Sequence, residues 1–230
     1  MKKNKQENGC RELTLRQTAK YLQKHDNYII LTHASPDGDT LGSAFALYYA
    51  LKEIGKAACV ICPDVIPEKY NYFARQTDHV SRDDATVVAV DVADKRLLGG
   101  LEEEFGNIVD LNIDHHISNV RFAKNLFLDA DAAATAESMY ELLGIMKVNI
   151  NDVTAKALYT GIATDTGCFK YSNVTAKTHM IVAQLYEYNI DAPEINRIMF
   201  DTKSRKLLEL ERMVLDASEF HFGGKCILLP

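Results

Sequence analysis

Short β-rich runs alternate with stretches of helical periodicity along the first half of the chain, and no other feature restricts the fold as much. NYIILTH (27–33), KAACVIC (56–62), TVVAVD (86–91) and NIVDLNID (107–114) are strand-like, and NLFLD (125–129) is a weaker fifth candidate. Between them, TLRQTAKYLQKH sets Leu15, Ala19 and Leu22 at helical spacing, while TLGSAFALYYALKEIG is apolar all round and stops at Gly55, as a mostly buried helix would. KRLLGGLEEEF reads as a short helix. Strands separated by helical segments need crossover connections, so the expected fold is α/β, with a mainly parallel sheet of about five strands and helices on both faces. From Ala133 onward the pattern turns helical: TAESMYELLGIM, DVTAKALYTGIAT, TAKTHMIVAQLYEYN and KSRKLLELERMVLDAS. The last is polar enough for a linker helix, and FHFGGKCILLP beyond it reads as the first strand of a new unit.

Composition narrows the partners. The 230 residues, 47% of them hydrophobic, suffice for one large domain or for a domain and part of a second. With 32 acidic and 26 basic residues the net charge is −6, which offers no general positive field for long duplex nucleic acid. The charged start MKKNKQENGCRELTLRQ lacks the apolar segment of a secretory signal, and no apolar run is long enough to span a bilayer. A cytoplasmic protein with no membrane partner is expected. Five cysteines, an odd number, fit reduced thiols better than a disulfide framework.

Where the strands end, titratable residues collect. His33 follows YIILT, Asp91 follows TVVAV, and Asp114, His115 and His116 follow LNI; Asp37 and Asp39 lie just beyond His33. The carboxyl edge of an open parallel sheet is where ligands bind, so one shared site is expected. Asp165, at the end of a predicted helix in GIATDTG, is a further member. Imidazoles and carboxylates without cysteine suit a hard or borderline ion such as Mn²⁺, Mg²⁺ or Co²⁺. Five carboxylates around one crevice would repel strongly without cations, and the ligands suffice for two ions, a usual means of activating water against phosphorus. The helix expected to open at Asp39 would aim its N–H groups at the same place and favour a phosphate, with Gly38 and Gly42 permitting close backbone approach.

Four segments, THASPDGDTLGS, VDVAD, NIDHHISN and TGIATDTGCF, resemble in order the motifs of the DHH phosphoesterase superfamily. The resemblance runs from about Leu13 to Glu219, and the phrase GIATDTGCFKYSNVTAKTH makes it most similar to the bifunctional oligoribonucleases, or nano-RNases, that also act on 3′-phosphoadenosine 5′-phosphate. It implies two divalent ions, with Mn²⁺ first and Mg²⁺ or Co²⁺ as alternatives. His33, Asp37 and Asp91 would hold one ion, and Asp39, Asp91, His115 and Asp165 the other, with Asp91 bridging. Asp114 would orient an imidazole from behind, His116 would face the scissile phosphate as a donor, and the nucleophile would be a water or hydroxide between the ions.

The implied substrates are small nucleotides or short single-stranded RNA: very short oligoribonucleotides, and 3′-phosphoadenosine 5′-phosphate, which would lose its 3′-phosphate. A cyclic dinucleotide or its linear product is an alternative, and a metal- and nucleotide-binding module without turnover is a third reading. Family II pyrophosphatases share the ligands but match less well after Asp165. The resemblance also implies a DHH domain over 13–200, a linker helix over 201–219 and, over 220–230, the start of a DHH-associated domain that the sequence leaves at Pro230. The apolar stub CILLP makes self-association, such as a homodimer, an expectation.

Other features carry blander readings. Cys59 and Cys62 form a lone CxxC without a second pair and are expected as core thiols. Glu102, Glu103 and Glu104 are a solvated helix face. Phe169 and Tyr171 are candidates for stacking on a base, and His25, His79, His179 and His221 match no motif. Asp39 is read as both a helix cap and a ligand.

Overall fold

The structure is a computed structural model that describes residues 6–7 and 9–229. Its sheet has the order β1-β2-β7-β6-β5-β3-β4. The strands are β1 (Gln6–Glu7), β2 (Cys10–Glu12), β3 (Tyr28–Leu31), β4 (Ala58–Ile61), β5 (Thr86–Val90), β6 (Leu111–Asp114) and β7 (Asn125–Leu128). All neighbours pair in parallel except β1, which runs antiparallel to β2. The five expected strands are all present. The two added ones lie at an edge and are too short for a periodic signal; β2 joins by pairing Arg11 with Asn125.

Alternate residues of each strand enter two cores, as the pleat requires. Tyr28 and Ile30 face the larger, with α1 (Leu15–Lys24), α2 (Gly38–Glu53), α4 (Thr135–Met146), α5 (Asp152–Asp165) and α6 (Ala176–Leu185). Ile29 and Leu31 face the smaller. That second face is covered by a 3₁₀ segment, Lys95–Leu101, and a single turn, α3 (Glu102–Phe105), where one short helix was expected. Gly99, with φ +53°, breaks the helix there.

α2 explains its own lack of amphipathicity. Thirteen of its residues are buried, including Leu41, Phe45, Leu47 and Leu51, because it lies between the sheet and the helices α4 and α5. Its crossing with α5 is close: a Cβ on Gly42 would overlap the Ala157 carbonyl and the Gly161 backbone, and one on Gly38 would overlap the Thr164 side chain. These glycines therefore serve helix packing, where the sequence had suggested room for a phosphate. Gly42→Ala separates packing from propensity. Alanine in a free helix would gain about 1 kcal/mol, whereas overpacking costs about 1–3 kcal/mol, so a net loss is expected in denaturant unfolding. A gain would show that the helices part easily.

The chain then continues through α7 (Ala192–Asn196) into α8 (Arg205–Asp216) and a separate antiparallel hairpin, β8 (Glu219–His221) with β9 (Cys226–Leu228). α8 buries none of its residues. Among the described residues, no helix is long and apolar enough to cross a membrane, and Cys10, Cys59, Cys62, Cys168 and Cys226 are free thiols. Burial raises the thiol pKa of Cys59 and Cys62, as befits packing cysteines.

Candidate metal centre

β3 connects through α2 outward to β4, and the chain returns on the other side of β3 as β5 before moving on to β6. The connections thus reverse between β3 and β5, and a crevice opens there at the carboxyl ends of the strands. His33 leaves β3, Asp91 leaves β5, and Asp114 ends β6 with His115 and His116 behind it. Asp165, the last residue of α5, reaches the same place because α5 crosses α2 so closely.

Three sets of ligand atoms each lie within 4.8 Å of one another: His33, Asp37 and Asp91; Asp39, His115 and Asp165; and Asp91, His115 and His116. The first is the complete ligand set read for one ion. His115 Nε2 lies 3.2 Å from Asp165 Oδ2 and 3.9 Å from Asp39 Oδ2 of the second set, and 3.7 Å from Asp91 Oδ1. Asp91 turns its other oxygen toward His33, 3.9 Å from Nε2. Seven of the eight sequence-derived residues therefore meet in one crevice, and the eighth, Asp114, stands behind His116.

Each imidazole is oriented from behind. His33 Nδ1 is 2.7 Å from the Ala34 carbonyl and His115 Nδ1 is 3.2 Å from that of Ala132, so these nitrogens donate and the Nε2 atoms turn to the carboxylates. His116 is held by Asp114, whose Oδ1 lies 2.8 Å from His116 Nδ1. The fully buried Asp114 also accepts the His115 and His116 amides and, at 2.6 Å, the Asn119 side chain. Burial alone would raise its pKa, but these donors hold it below the usual carboxylate range.

The two aspartates after β3 divide their work differently from the sequence reading. α2 opens at Gly38, and Asp37 is its cap, accepting from the amides of Asp39 and Thr40. Those amides are thereby taken, so they do not wait for a phosphate. Asp39, fully buried, reaches across to α4, whose own cap position is Ala134 and supplies no side-chain acceptor. Its oxygens accept the Thr135 amide at 2.6 Å and the Ala136 amide at 2.9 Å. Asp39 is therefore a cap in trans. Thr135, which no charge or periodicity marked, also donates its hydroxyl to Asp91 Oδ1 at 2.7 Å. Asp91 itself takes a left-handed backbone, φ +61°, uncommon outside glycine and frequent at functional sites.

The loop after Asp165 turns through three left-handed residues, Gly167, Cys168 and Phe169. Phe169 packs against Tyr159 and His179 and so is occupied in the core edge, whereas Tyr171 is exposed with its ring over Gly167. His25 stacks on Tyr21, and His221 pairs with Glu219, away from the crevice.

The residues fit a divalent cation. His115 Nε2 is buried without a hydrogen-bond partner, and it points at three carboxylates. Burial and the Asp37 charge raise the pKa of Asp91 to about 6, and burial with the charges of Asp91 and Asp165 raises that of Asp39 well above the ordinary range. Burial would depress His33 and His115, but the facing carboxylates prevail and raise them to about 9 and about 10. Without metal, both imidazoles are thus protonated at pH 7. A cation must displace those protons, so affinity should rise with pH below these values, and binding should release roughly one to two protons. Calorimetric titration of Mn²⁺ at pH 7 in buffers of different ionisation enthalpy checks this. A buffer-independent heat would remove the histidines from the ligand set.

A parallel α/β domain with a histidine–aspartate centre at the switch point of its sheet defines a class of metal-type sites. The family is narrower: the model of the DHH family, N-terminal domain, matches residues 27–162, and the chain belongs to that family. It is 35% identical over 202 residues to the bifunctional oligoribonuclease and PAP phosphatase NrnA of Thermus thermophilus, covering 85% of this chain and 60% of that protein. A probable bifunctional oligoribonuclease and PAP phosphatase NrnA of Streptococcus mutans is 27% identical, over 88% of this chain and 66% of its own length. The chain thus spans somewhat under two thirds of these relatives. Among solved structures, an exopolyphosphatase-related protein from Bacteroides fragilis has the same fold, with a TM-score of 0.82 at 24% identity over 94% of this chain and 68% of that one.

Proposed function

We propose that this chain carries the metal-binding half of a phosphohydrolase that cleaves very short oligoribonucleotides and removes the 3′-phosphate of 3′-phosphoadenosine 5′-phosphate. The observation that carries the reading is the meeting of two histidine–aspartate ligand sets about Asp91. The names of the relatives supply the substrate class.

In this reading His33, Asp37 and Asp91 hold one divalent ion, and Asp39, Asp91, His115 and Asp165 hold the second, with Mn²⁺ suited to both sets. When bound, such a pair supplies positive charge to the phosphoryl group and lowers the pKa of the attacking water. The chain does the rest. Asp114 fixes His116 through Nδ1, which leaves Nε2 free to donate to a phosphoryl oxygen as charge builds there. The hydrogen bond to Asp114 is the chief cause that raises the pKa of His116 and so favours the protonated ring. Residues 13–200 form the catalytic unit, 201–219 a linker and 220–230 the opening of a second unit. The exposure of α8 supports that division.

The test is a chromatographic time course with Mn²⁺ on 3′-phosphoadenosine 5′-phosphate, a 5′-phosphorylated diribonucleotide and cyclic diadenylate, each with a chelator control. Chelator-sensitive loss of the first two is expected, with the cyclic substrate slower. A faster cyclic substrate would reassign the enzyme to cyclic dinucleotides. Binding of Mn²⁺ with all three substrates intact would make the chain a binding module.

A further inference from the structure

We infer that Thr135 is a positioning residue that locks the two carboxylates Asp39 and Asp91 into one arrangement through the first turn of α4. The inference rests on the metal-centre reading and extends it to a residue outside the ligand set.

Thr135 is fully buried and makes two contacts of different kinds. Its amide donates to Asp39 Oδ2 at 2.6 Å, and its hydroxyl donates to Asp91 Oδ1 at 2.7 Å. Asp91 Oδ1 is also the oxygen that faces His115, at 3.7 Å, while Oδ2 faces His33. A carboxylate that serves two sides of a crevice has one rotational freedom that matters, the turn of its plane. The hydroxyl removes it by fixing which oxygen lies on the α4 side. The amide contact does the same for Asp39, with Ala136 and Ser43 holding the other oxygen. Both carboxylates therefore move only if the start of α4 moves. An N-terminal helix turn also stabilises carboxylate charge, which suits a place where burial raises the pKa of both groups.

The test uses the full chain with Mn²⁺ as probe. Partners behind a metal ligand typically contribute about 10- to 100-fold in affinity. Thr135→Val keeps the shape and loses the donor, and it should weaken Mn²⁺ binding in calorimetry by about that factor. It should also diminish the electron paramagnetic resonance signal of a coupled manganese pair. Thr135→Ser keeps the hydroxyl and should bind within about threefold of wild type, a small part of that range. Metal-free thermal unfolding of each variant reports on the fold. Should the valine variant not fold, Thr135→Ser against Thr135→Ala isolates the hydroxyl in the same way. Wild-type affinity in the valine or alanine variant overturns the inference alone. Equal weakening in serine and alanine also overturns it, by assigning the effect to the lost methyl. Absence of Mn²⁺ binding by the wild type would overturn the metal-centre reading, and with it this one.

Discussion

Asp91→Asn is expected to abolish hydrolysis and to weaken binding of both ions while leaving the fold intact. The substitution is nearly isosteric, and asparagine is among the residues that tolerate the left-handed backbone Asp91 adopts. The amide oxygen can still accept the Thr135 hydroxyl, and the backbone bond to Ile113 is untouched. What disappears is the charge between His33 and His115. If the ion pair contributes several kcal/mol to the transition state, a loss of about 4 kcal/mol corresponds to about a thousandfold in rate. Stability should move the other way. Asp91 has a folded pKa of about 6, raised by burial and by Asp37. The stability present while it is protonated in the native state is lost as pH rises from the unfolded value through about 6. Asparagine never ionises, so the metal-free variant should melt at or above wild type at pH 8, and the difference should shrink toward pH 4. Unchanged metal stoichiometry and affinity would refute the shared role of Asp91, and a variant that unfolds without metal would make that role structural.

The candidate ligands were legible because they sit where strand patterns end, and the carboxyl edge of a parallel sheet collects such positions. His33, Asp91 and His115 needed only the alternation of strand and helix to be placed together. Asp165 was less so, since the end of a helix can point anywhere. Its place depends on the α2–α5 crossing, which the glycines at 38, 42 and 161 allow: a Cβ on Gly161 would come within 2.9 Å of Asp39 Oδ1. The roles of Asp37 and Asp39 were harder still. Two aspartates two positions apart at a helix start are equivalent in local sequence, and only the position of α4 decides that Asp39 turns away from its own helix. Thr135 left no signal, because AAATAES is a run of small residues whose hydroxyl gains meaning only from the tertiary neighbour. The covering of the second face departs from expectation for a local reason, the left-handed Gly99.

His116→Ala is expected to lower turnover by about a hundred- to a thousandfold, the usual consequence of removing one donor from developing phosphoryl charge, with metal content nearly intact. Asp114 decides the second half of that expectation. It loses the His116 side chain but keeps the amides of His115 and His116 and the Asn119 side chain, so its buried charge stays compensated. His115 therefore keeps its orientation, set by Ala132 and not by His116. The half-exposed ring of His116 lies on the open side of the crevice, where its absence leaves room for water. Its Nδ1 is nevertheless 3.5 Å from Asp91 Oδ1, within a set that could hold an ion. Metal analysis beside kinetics separates the two roles. A slow variant with two ions makes His116 the donor to the substrate, whereas loss of an ion together with activity makes it a ligand and moves the donor role to another group.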